Sequence, residues 1–456
     1  MCTTTMKHLL SLGLLLLLLT TTTWSQDTWV KVLGGSDDES GNSITRTSDD
    51  GILITGYSLS NDGDFKGMNK GSEDVFIIKL DKDGQVLWKK TLGGSGDEFG
   101  TSLTTTEDGG MVLTGTSYSN DGDFKGMKEG GPDIFVIKLN SNGEVIWKKT
   151  FGGSDEEGVG YLTTTEDGGI VLTGWTYSKD GDFKRRSNSR SCNIFVIKLN
   201  SNGEVIWKKT FGGEWDKGIS LSTTEDGGIV VTGTTSSNNG DFKGMNKGST
   251  DIFVIKLNSN GEVIWKKTFG GSNVDFGHSL TTTSDGGLVL TGFTKSNDGD
   301  FKGMNKGDVD IFIIKLNSLG NVEWKKTFGG SEWDWGKSLT TTSDGGLVLT
   351  GYTNSNDGDF KGMNKGDVDI FIIKLNSLGN VLWKRTYGGR GIDLVEHLSM
   401  TSDGGIMLIG GTPSDVGDER NDGDFWNLGK GGQDIFIMKL DKDGNLKPKG
   451  KNSKKK

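Results

Sequence analysis

The chain is built from short runs of apolar and polar residues, and glycine, asparagine, aspartate or serine stands at each junction between them. After Gly270 these runs are SLTTT at 279–283, LVLTGFT at 288–294, DIFIIKL at 310–316 and VEWKKTF at 322–328. Short alternating runs bounded by turn residues are typical of β-strands. DIFIIKL is apolar on both faces, as in a strand that is covered on both sides. The pattern therefore predicts a unit of four antiparallel strands.

The same unit is copied seven times along the chain. Its marker is W-x-K-x-x-G-G, and successive markers lie 58 to 60 residues apart, with their tryptophans at Trp29, Trp88, Trp147, Trp207, Trp265, Trp324 and Trp383. Seven such units predict an all-β fold, a seven-bladed β-propeller of four-stranded antiparallel blades. We expect the recurring tryptophan, and the phenylalanine that follows it by four positions in most copies, to pack between neighbouring blades.

The two ends of the repeat region complement each other. The region opens with TWVKVLGG from Thr28, which matches the fourth strand of a unit but is not preceded by the other three. It closes with DIFIMKL at 434–440, which matches the third strand of a unit but is not followed by a fourth. The N-terminal strand is therefore expected to complete the last blade and close a ring within residues 27–446. An open solenoid is the alternative, but it gives no reason to divide a blade between the two ends.

The repeats also resemble a known family. The motifs W-K-K-T-F-G-G-S, T-x-D-G-G-x-x-L-T-G, S-N-D-G-D and D-I-F-x-I-K-L-N are similar to the Trp/Gly/Asp-rich propeller repeats of bacterial secreted and surface proteins, the SBBP-type repeats. The segment N-G-E-V-I-W at 202–207 is also similar to the quinoprotein repeat. The resemblance implies an exported propeller and says little about activity, since a fold does not fix a function.

The two terminal segments differ from the repeats. Residues 1–26 combine Lys7, an apolar run at 9–19 and the small residue Ser25, which predicts a cleaved signal peptide. A membrane anchor is the alternative, but the apolar run is too short to span a bilayer. We therefore expect a secreted, cell-surface or periplasmic protein without a transmembrane span in the mature chain. Residues 447–456 are predicted to be a disordered basic tail.

Charge and rare residues narrow the function classes. The net charge is −10, and it falls to −17 without the seven lysines of residues 1–26 and 447–456. An acidic body argues against nucleic acid as the main partner. Beyond residue 26, Cys192 is the only cysteine, which excludes a disulfide scaffold, and His278 and His397 are the only histidines. We expect a monomer.

Paired acids recur in the DGD loops and just before each third strand. Carboxylates and loop carbonyls together suit calcium, so one hypothesis makes these loops cation sites. The alternative is that aspartate caps its own turn and glycine supplies a positive φ. The loop is not an EF-hand, because Lys361 occupies a ligand position. The third copy is doubtful because Asn193 replaces the aspartate. The candidate calcium ligands are Asp62, Asp64, Asp74, Asp121, Asp123, Asp133, Asp298, Asp300, Asp310, Asp357, Asp359, Asp369, Asp422, Asp424 and Asp434.

The links between units carry a second series of acids and some aromatic residues. The acids are expected either to ring the mouth of a central channel and attract cations or basic ligands, or to accept hydrogen bonds from the links. The aromatic residues are expected either to bind a ligand or to pack between blades. The candidate ligand-binding residues are Glu39, Glu98, Glu157, Asp216, Asp275, Asp334, Asp393, Trp215, Phe276, Trp333 and Trp335.

Three functions are compatible with this pattern. Near-identical repeats favour a non-enzymatic scaffold that binds a glycan or an extracellular or surface protein at several sites. An enzyme, such as a hydrolase, a lyase or a quinoprotein, needs one asymmetric site, and the repeats supply no obvious one. A purely structural spacer is the third hypothesis. Apart from calcium, the sequence predicts no cofactor.

Overall fold

The computed structural model describes residues 28–127, 130–184, 191–413, 424–425 and 428–446. In these residues the chain forms seven four-stranded antiparallel sheets, the blades of a propeller, as the repeats predicted. Blade one contains β2 (Glu39–Arg46), β3 (Ile52–Ser58), β4 (Asp74–Leu80) and β5 (Val86–Leu92), and blade two contains β6 (Glu98–Thr105), β7 (Met111–Ser117), β8 (Asp133–Leu139) and β9 (Val145–Phe151). Blade three contains β10 (Glu157–Thr164), β11 (Ile170–Thr176), β12 (Asn193–Leu199) and β13 (Val205–Phe211), and blade four contains β14 (Asp216–Thr223), β15 (Ile229–Thr235), β16 (Asp251–Leu257) and β17 (Val263–Phe269). Blade five contains β18 (Asp275–Thr282), β19 (Leu288–Thr294), β20 (Asp310–Leu316) and β21 (Val322–Phe328), and blade six contains β22 (Asp334–Thr341), β23 (Leu347–Thr353), β24 (Asp369–Leu375) and β25 (Val381–Tyr387).

The seventh blade contains both ends of the repeat region. It consists of β26 (Leu394–Met400), β27 (Ile406–Pro413), β28 (Gln433–Leu440) and the first strand, β1 (Trp29–Leu33). Strand β1 pairs antiparallel with β28, from Trp29 opposite Lys439 to Leu33 opposite Ile435. The predicted closure of the ring is confirmed. The predicted signal segment and the basic tail lie outside the described residues, so they stay predictions.

Each repeat tryptophan joins its blade to the next one. A Cβ on Gly143, in the third-to-fourth hairpin of blade two, would lie 3.1 Å from the ring of Trp88 in blade one. Gly143 also has a φ of +79°, so glycine is required both by the turn and by the close approach of the ring. In the next junction the indole N–H of Trp147 donates to the carbonyl of Ser201 at 3.2 Å. The repeat tryptophan is thus a contact between blades, as expected.

A buried phenylalanine anchors the second-to-third loop of each blade. In the first six blades the sequence GDF forms one turn of 3-10 helix, at Gly63–Phe65, Gly122–Phe124, Gly181–Phe183, Gly240–Phe242, Gly299–Phe301 and Gly358–Phe360. Phe65 is buried, and its ring centroid lies 5.5 Å from that of Phe76 in the third strand. The DGD motif therefore continues into the core of the blade through this phenylalanine.

The loops lie on two opposite faces of the propeller. The links between blades meet the second-to-third loops, because Ser36 N–H donates to Asp62 Oδ1 at 2.8 Å and Asp64 N–H donates to the carbonyl of Gly34 at 2.9 Å. We call this the link face. The other ends of the strands carry the short hairpins and form the hairpin face. There Lys79 Nζ lies 2.8 Å from Asp49, and this contact lowers the pKa of Asp49 to about 2. No helix in the described part of the chain is long and apolar enough to cross a membrane.

Candidate functional site

The link acids lie inside the blades rather than on a channel rim. In blade one Glu39 accepts hydrogen bonds from Gly35 N–H at 2.9 Å, Ser58 Oγ at 2.8 Å and Ser60 N–H at 3.2 Å. All seven are buried: Glu39, Glu98, Glu157, Asp216, Asp275, Asp334 and Asp393. Burial raises their pKa values, to about 7 for Glu157. In this arrangement their carboxylates shape the link by accepting its N–H groups, and they are not exposed to a ligand.

The DGD acids have partners within the protein. Ser36 N–H donates to Asp62, and Gly34 N–H donates to Asp64 Oδ2 at 3.1 Å. In five blades the second acid of the loop also pairs with a lysine of the preceding blade, for example at 2.6 Å from Asp300 Oδ2 to Lys247 Nζ. The five pairs of this kind among the described residues are Lys70–Asp123, Lys247–Asp300, Lys306–Asp359, Lys365–Asp424 and Lys430–Asp64.

These contacts place an ammonium group where a cation was predicted. Gly63, with a φ of +50°, supplies the positive φ that the turn requires, and the same holds at the equivalent glycines of the next five blades. In the described part of the chain no three or more acidic, histidine or cysteine side chains are arranged to hold a metal ion. Asp422, one of the predicted ligands, lies outside the described residues.

The aspartate at the start of the third strand is fully buried. Asp310 Oδ2 accepts the N–H of Lys306 at 2.7 Å, whereas its Oδ1 has no hydrogen-bond partner within the described residues. Gly329 lies beside it, and a Cβ there would also lie 2.9 Å from Asp334 Oδ2. Burial, and secondarily the charge of Asp334, raise the pKa of Asp310 to about 7. The carboxyl groups of Asp310 and Asp334 therefore share one junction between blades, on either side of a glycine.

Three of the four predicted aromatic residues belong to one cluster in blades five and six. The rings of Phe276 and Phe293 stack with centroids 5.5 Å apart, Phe293 stacks on Trp335 at 4.5 Å, and Trp335 stacks on Tyr352 at 5.6 Å. Trp333 meets Trp335 edge to face at 6.4 Å. Phe293 and Tyr352 are buried, while the other three rings are half-buried. The cluster both packs the blades together and presents aromatic edges on the link face.

The fourth predicted aromatic residue, Trp215, has a different environment. Lys217 Nζ lies 5.2 Å from the centroid of the Trp215 ring and 4.2 Å from that of Trp175 in the preceding blade. An ammonium group between two indoles is stabilised by both rings. Near this junction the protein therefore supplies its own cation to its aromatic residues.

A central channel runs between the seven innermost strands and contains a cavity of about 520 Å³. One residue bulges out of the ladder in each of these strands and lines the cavity. These bulge residues are Asn42, Thr101, Gly160, Ile219, His278, Lys337 and Glu396. They differ in all seven blades, although the frame around them repeats.

The residue after the bulge links adjacent innermost strands. In blade one it is Ser43, whose Oγ accepts the N–H of Leu103 at 3.3 Å. His397 holds this position in blade seven, and its Nδ1 lies 3.3 Å from the amide nitrogen and 3.2 Å from the carbonyl oxygen of Ile44. Tyr161 holds it in blade three, and its hydroxyl lies 3.4 Å from Nε2 of His397 across the channel. Burial lowers the pKa of His397 to about 4, so its imidazole is neutral.

The channel also holds a half-buried ion pair, from Lys337 Nζ to Glu396 at 2.8 Å. Sequence reasoning did not select Tyr161, Lys337 or Glu396. The signal was present, because Tyr161 and His397 replace a serine that the other blades share, and the preceding residue differs in every copy. The arrangement gives the channel one set of side chains that no blade repeats.

Comparison with known proteins finds a WD repeat-containing protein among the relatives of this chain. No family model matches it. It is 21% identical over 497 aligned residues to an uncharacterized WD repeat-containing protein, L264, of Acanthamoeba polyphaga mimivirus, covering 84% of this chain and 36% of that protein. It is 24% identical over 277 residues to the regulatory protein FlaEY of Caulobacter vibrioides, covering 59% of this chain and 27% of that protein. The chain thus spans between about a quarter and just over a third of the length of these curated relatives.

The solved structures that resemble this chain have a lower sequence identity to it than the two curated relatives. The WD40 domain of Pan2 from Neurospora crassa matches with a TM-score of 0.48 and 11% identity, covering 91% of this chain and 96% of that one. A protein of unknown function from Dyadobacter fermentans matches with a TM-score of 0.44 and 13% identity, covering 90% of this chain and 97% of that one. At these scores neither similarity adds to what the strands and their pairing already establish.

Proposed function

We propose that the protein is an exported, non-enzymatic propeller that binds another protein through its link face and the adjoining mouth of the channel. One observation carries this proposal: the bulge residue is different in all seven blades, while the frame that holds it is repeated. A rigid repeated frame with blade-specific side chains suits recognition of a partner that touches several blades at once.

Two further observations support the proposal. The similarity to a WD repeat-containing protein agrees with a propeller that acts as a scaffold. The resemblance of the motifs to SBBP-type repeats, together with the apolar run at 9–19, supports export. An enzyme is less well supported, because the repeated carboxylates of the link face are buried or have partners in their own or a neighbouring blade.

Peptide display on the purified protein tests the binding role. We expect enrichment of peptides whose affinity falls about tenfold when Ile392 on the link face becomes aspartate, because a charge would be placed against an apolar contact. The matched control is Leu378→Asp in the hairpin between β24 and β25. Ile392 and Leu378 are 49% and 70% exposed, so neither change should unfold the protein.

Other results would contradict the proposal. If Ile392→Asp and Leu378→Asp lower the affinity for the peptides equally, the peptides do not bind at the link face. A panel of polysaccharides that binds while no peptide is enriched would assign the link face to glycans instead. Export has its own test: the intact mass of protein recovered from the medium or the periplasm is expected to lack the first 25 or so residues, and retention of the full-length mass would contradict it.

A further inference from the structure

Two residues meet on the link face at every junction between blades. One directly precedes the buried link acid, and the other directly precedes the aspartate of the third strand in the blade before. Between blades five and six these residues are Trp333 and Val309, which form a parallel β-bridge. The N–H of Asp334 donates to the carbonyl of Val309 at 2.8 Å and fixes this register. We call the two residues a junction pair.

The seven junction pairs divide into two continuous arcs. Three neighbouring junctions form an acidic arc, in which each pair contains at least one carboxylate and no basic residue: Gln433 with Asp38, Glu73 with Asp97, and Pro132 with Glu156. The remaining four junctions form an apolar arc, whose pairs contain no charged residue: Cys192 with Trp215, Thr250 with Val274, Val309 with Trp333, and Val368 with Ile392. Exposed acids directly precede four of these residues (Glu214, Asp308, Glu332 and Asp367), and one of them, Asp308, pairs with Lys295.

The carboxylates at two junctions of the acidic arc are exposed and add charge beyond the pairs themselves, whereas Glu73 and Asp97 at the junction between them are half-buried. Asp37 precedes Asp38, and Asp155 precedes Glu156, and all four are exposed. In the described part of the chain none of these four carboxylates pairs with a lysine or an arginine, unlike the DGD acids nearby. Several negative charges on neighbouring blades give this half of the link face a negative potential, which attracts cationic groups.

The apolar arc adjoins the aromatic cluster. Ile392 is 49% exposed, and Trp333 is half-buried at the edge of the stack that runs through Trp335. Val274 is also half-buried, one junction away. Apolar and aromatic side chains that keep part of their surface in water are the type of residue on which protein interfaces depend.

We infer that the link face binds one segment of a partner protein that is apolar in one half and rich in lysine or arginine in the other. The apolar half of the segment packs over Trp333 and Ile392, and its basic half lies over Asp155 and Glu156. Nucleic acid and anionic lipid surfaces do not fit, because the acidic arc repels phosphate groups. This inference rests on the proposed function and specifies the chemistry of the partner.

The experiment compares two synthetic peptides with the same apolar half, one continued with lysines and the other with glutamates. Fluorescence anisotropy with the purified protein is expected to show binding of the lysine peptide, weakened as ionic strength rises, and little binding of the glutamate peptide. Changing both Asp155 and Glu156 to lysine is expected to reverse the preference between the two peptides. The matched control changes Glu107 and Glu166 to lysine, since both are exposed on the hairpin face.

The outcomes separate this inference from the proposed function. Reversal by the link-face double variant, with no change in the control, supports the two arcs. Equal binding of both peptides, or an equal effect of the two double variants, overturns them. If the arcs fail this test but display still yields peptides whose affinity Ile392→Asp lowers, the proposed binding function is supported and only the inference about the two arcs is wrong. If display yields none, the proposed function fails as well.

Discussion

At the scale of single residues, the aspartate at the start of the third strand links stability to pH. Asp310 is fully buried, its Oδ1 has no hydrogen-bond partner among the described residues, and its pKa is raised to about 7, first of all by burial. Burial likewise raises the pKa of Asp74, Asp251 and Asp369 to about 6. A raised pKa in the folded state means that folding favours the protonated carboxyl, so ionisation destabilises the fold.

Replacing Asp310 with asparagine is therefore expected to stabilise the protein more at high pH than at low pH. Stability should fall as the pH rises from about 4, where the carboxyl of the unfolded chain begins to ionise, to about 7, where the carboxyl of the folded protein ionises. Asp310→Asn should raise the free energy of unfolding by about 4 kcal/mol more at pH 8 than at pH 4. Denaturant unfolding at the two pH values measures this difference.

Blade three supplies the reverse control. Asn193 already occupies the equivalent position there and is buried. Asn193→Asp is expected to lower stability at pH 8 and to leave it almost unchanged at pH 4. The explanation fails if either substitution shifts the unfolding midpoint equally at both pH values.

At the scale of elements, the strands were predictable and the chemistry of the loops was not. Runs such as DIFIIKL predicted third strands that the structure confirms as Asp310–Leu316 and its equivalents. The same pattern does not reveal the direction of a loop carboxylate. Asp300 in the sequence suits calcium, but in the structure it lies 2.6 Å from Lys247 of the preceding blade, 53 residues away. A lysine at that separation becomes a neighbour only when the blades assemble.

Calcium is accordingly expected to leave the melting temperature unchanged. In loops such as those of Asp300 and Asp359, the second acid already pairs with a lysine. Calcium would have to displace that lysine in order to bind the carboxylate. Thermal unfolding in millimolar calcium and in EDTA measures the difference. A ligand that binds only the folded state raises the melting temperature, so an upward shift that Asp300→Asn abolishes would restore the cation hypothesis.

At the scale of the whole molecule, closure of the ring depends on one short strand. Trp29, Val32 and Leu33 of β1 are buried, and β1 completes the sheet of blade seven by pairing with β28. Without β1 the edge of β28 is exposed, and an unpaired edge is a site for association between molecules.

Removing residues 28–33 is expected to destabilise the protein by at least about 5 kcal/mol, since several buried apolar side chains and a strand pairing are lost together. The truncated protein should also associate. Thermal unfolding and size-exclusion chromatography measure the two effects. Leu33→Asp is expected to act in the same direction, whereas Lys31→Asp, at a half-buried position of the same strand, should do little. A truncated protein that stays monomeric and as stable as the parent would show that the ring does not need this strand.

The ring also explains why the side chains that line the channel could not be selected from the sequence. The sequence predicted its seven blades from the spacing of the tryptophans, because spacing is a local property. Tyr161 and His397 are 236 residues apart, and their contact exists only because the ring brings blade three opposite blade seven. The burial of Glu39 depends on the ring in the same way, since its junction includes residues of the last blade.

The pairing of β1 with β28 has a consequence for how the protein is made. More than 400 residues separate Trp29 from its partner Lys439, so at about 5 to 20 residues per second the ribosome needs roughly 20 to 80 seconds between the two strands. Until β28 is made, the first strand lacks its pairing strand, and the blades that have already formed remain an open ring. The nascent chain therefore passes through a period in which its first strand can pair with a non-native strand edge. A chaperone that binds the first strand during this period would prevent such mispairing.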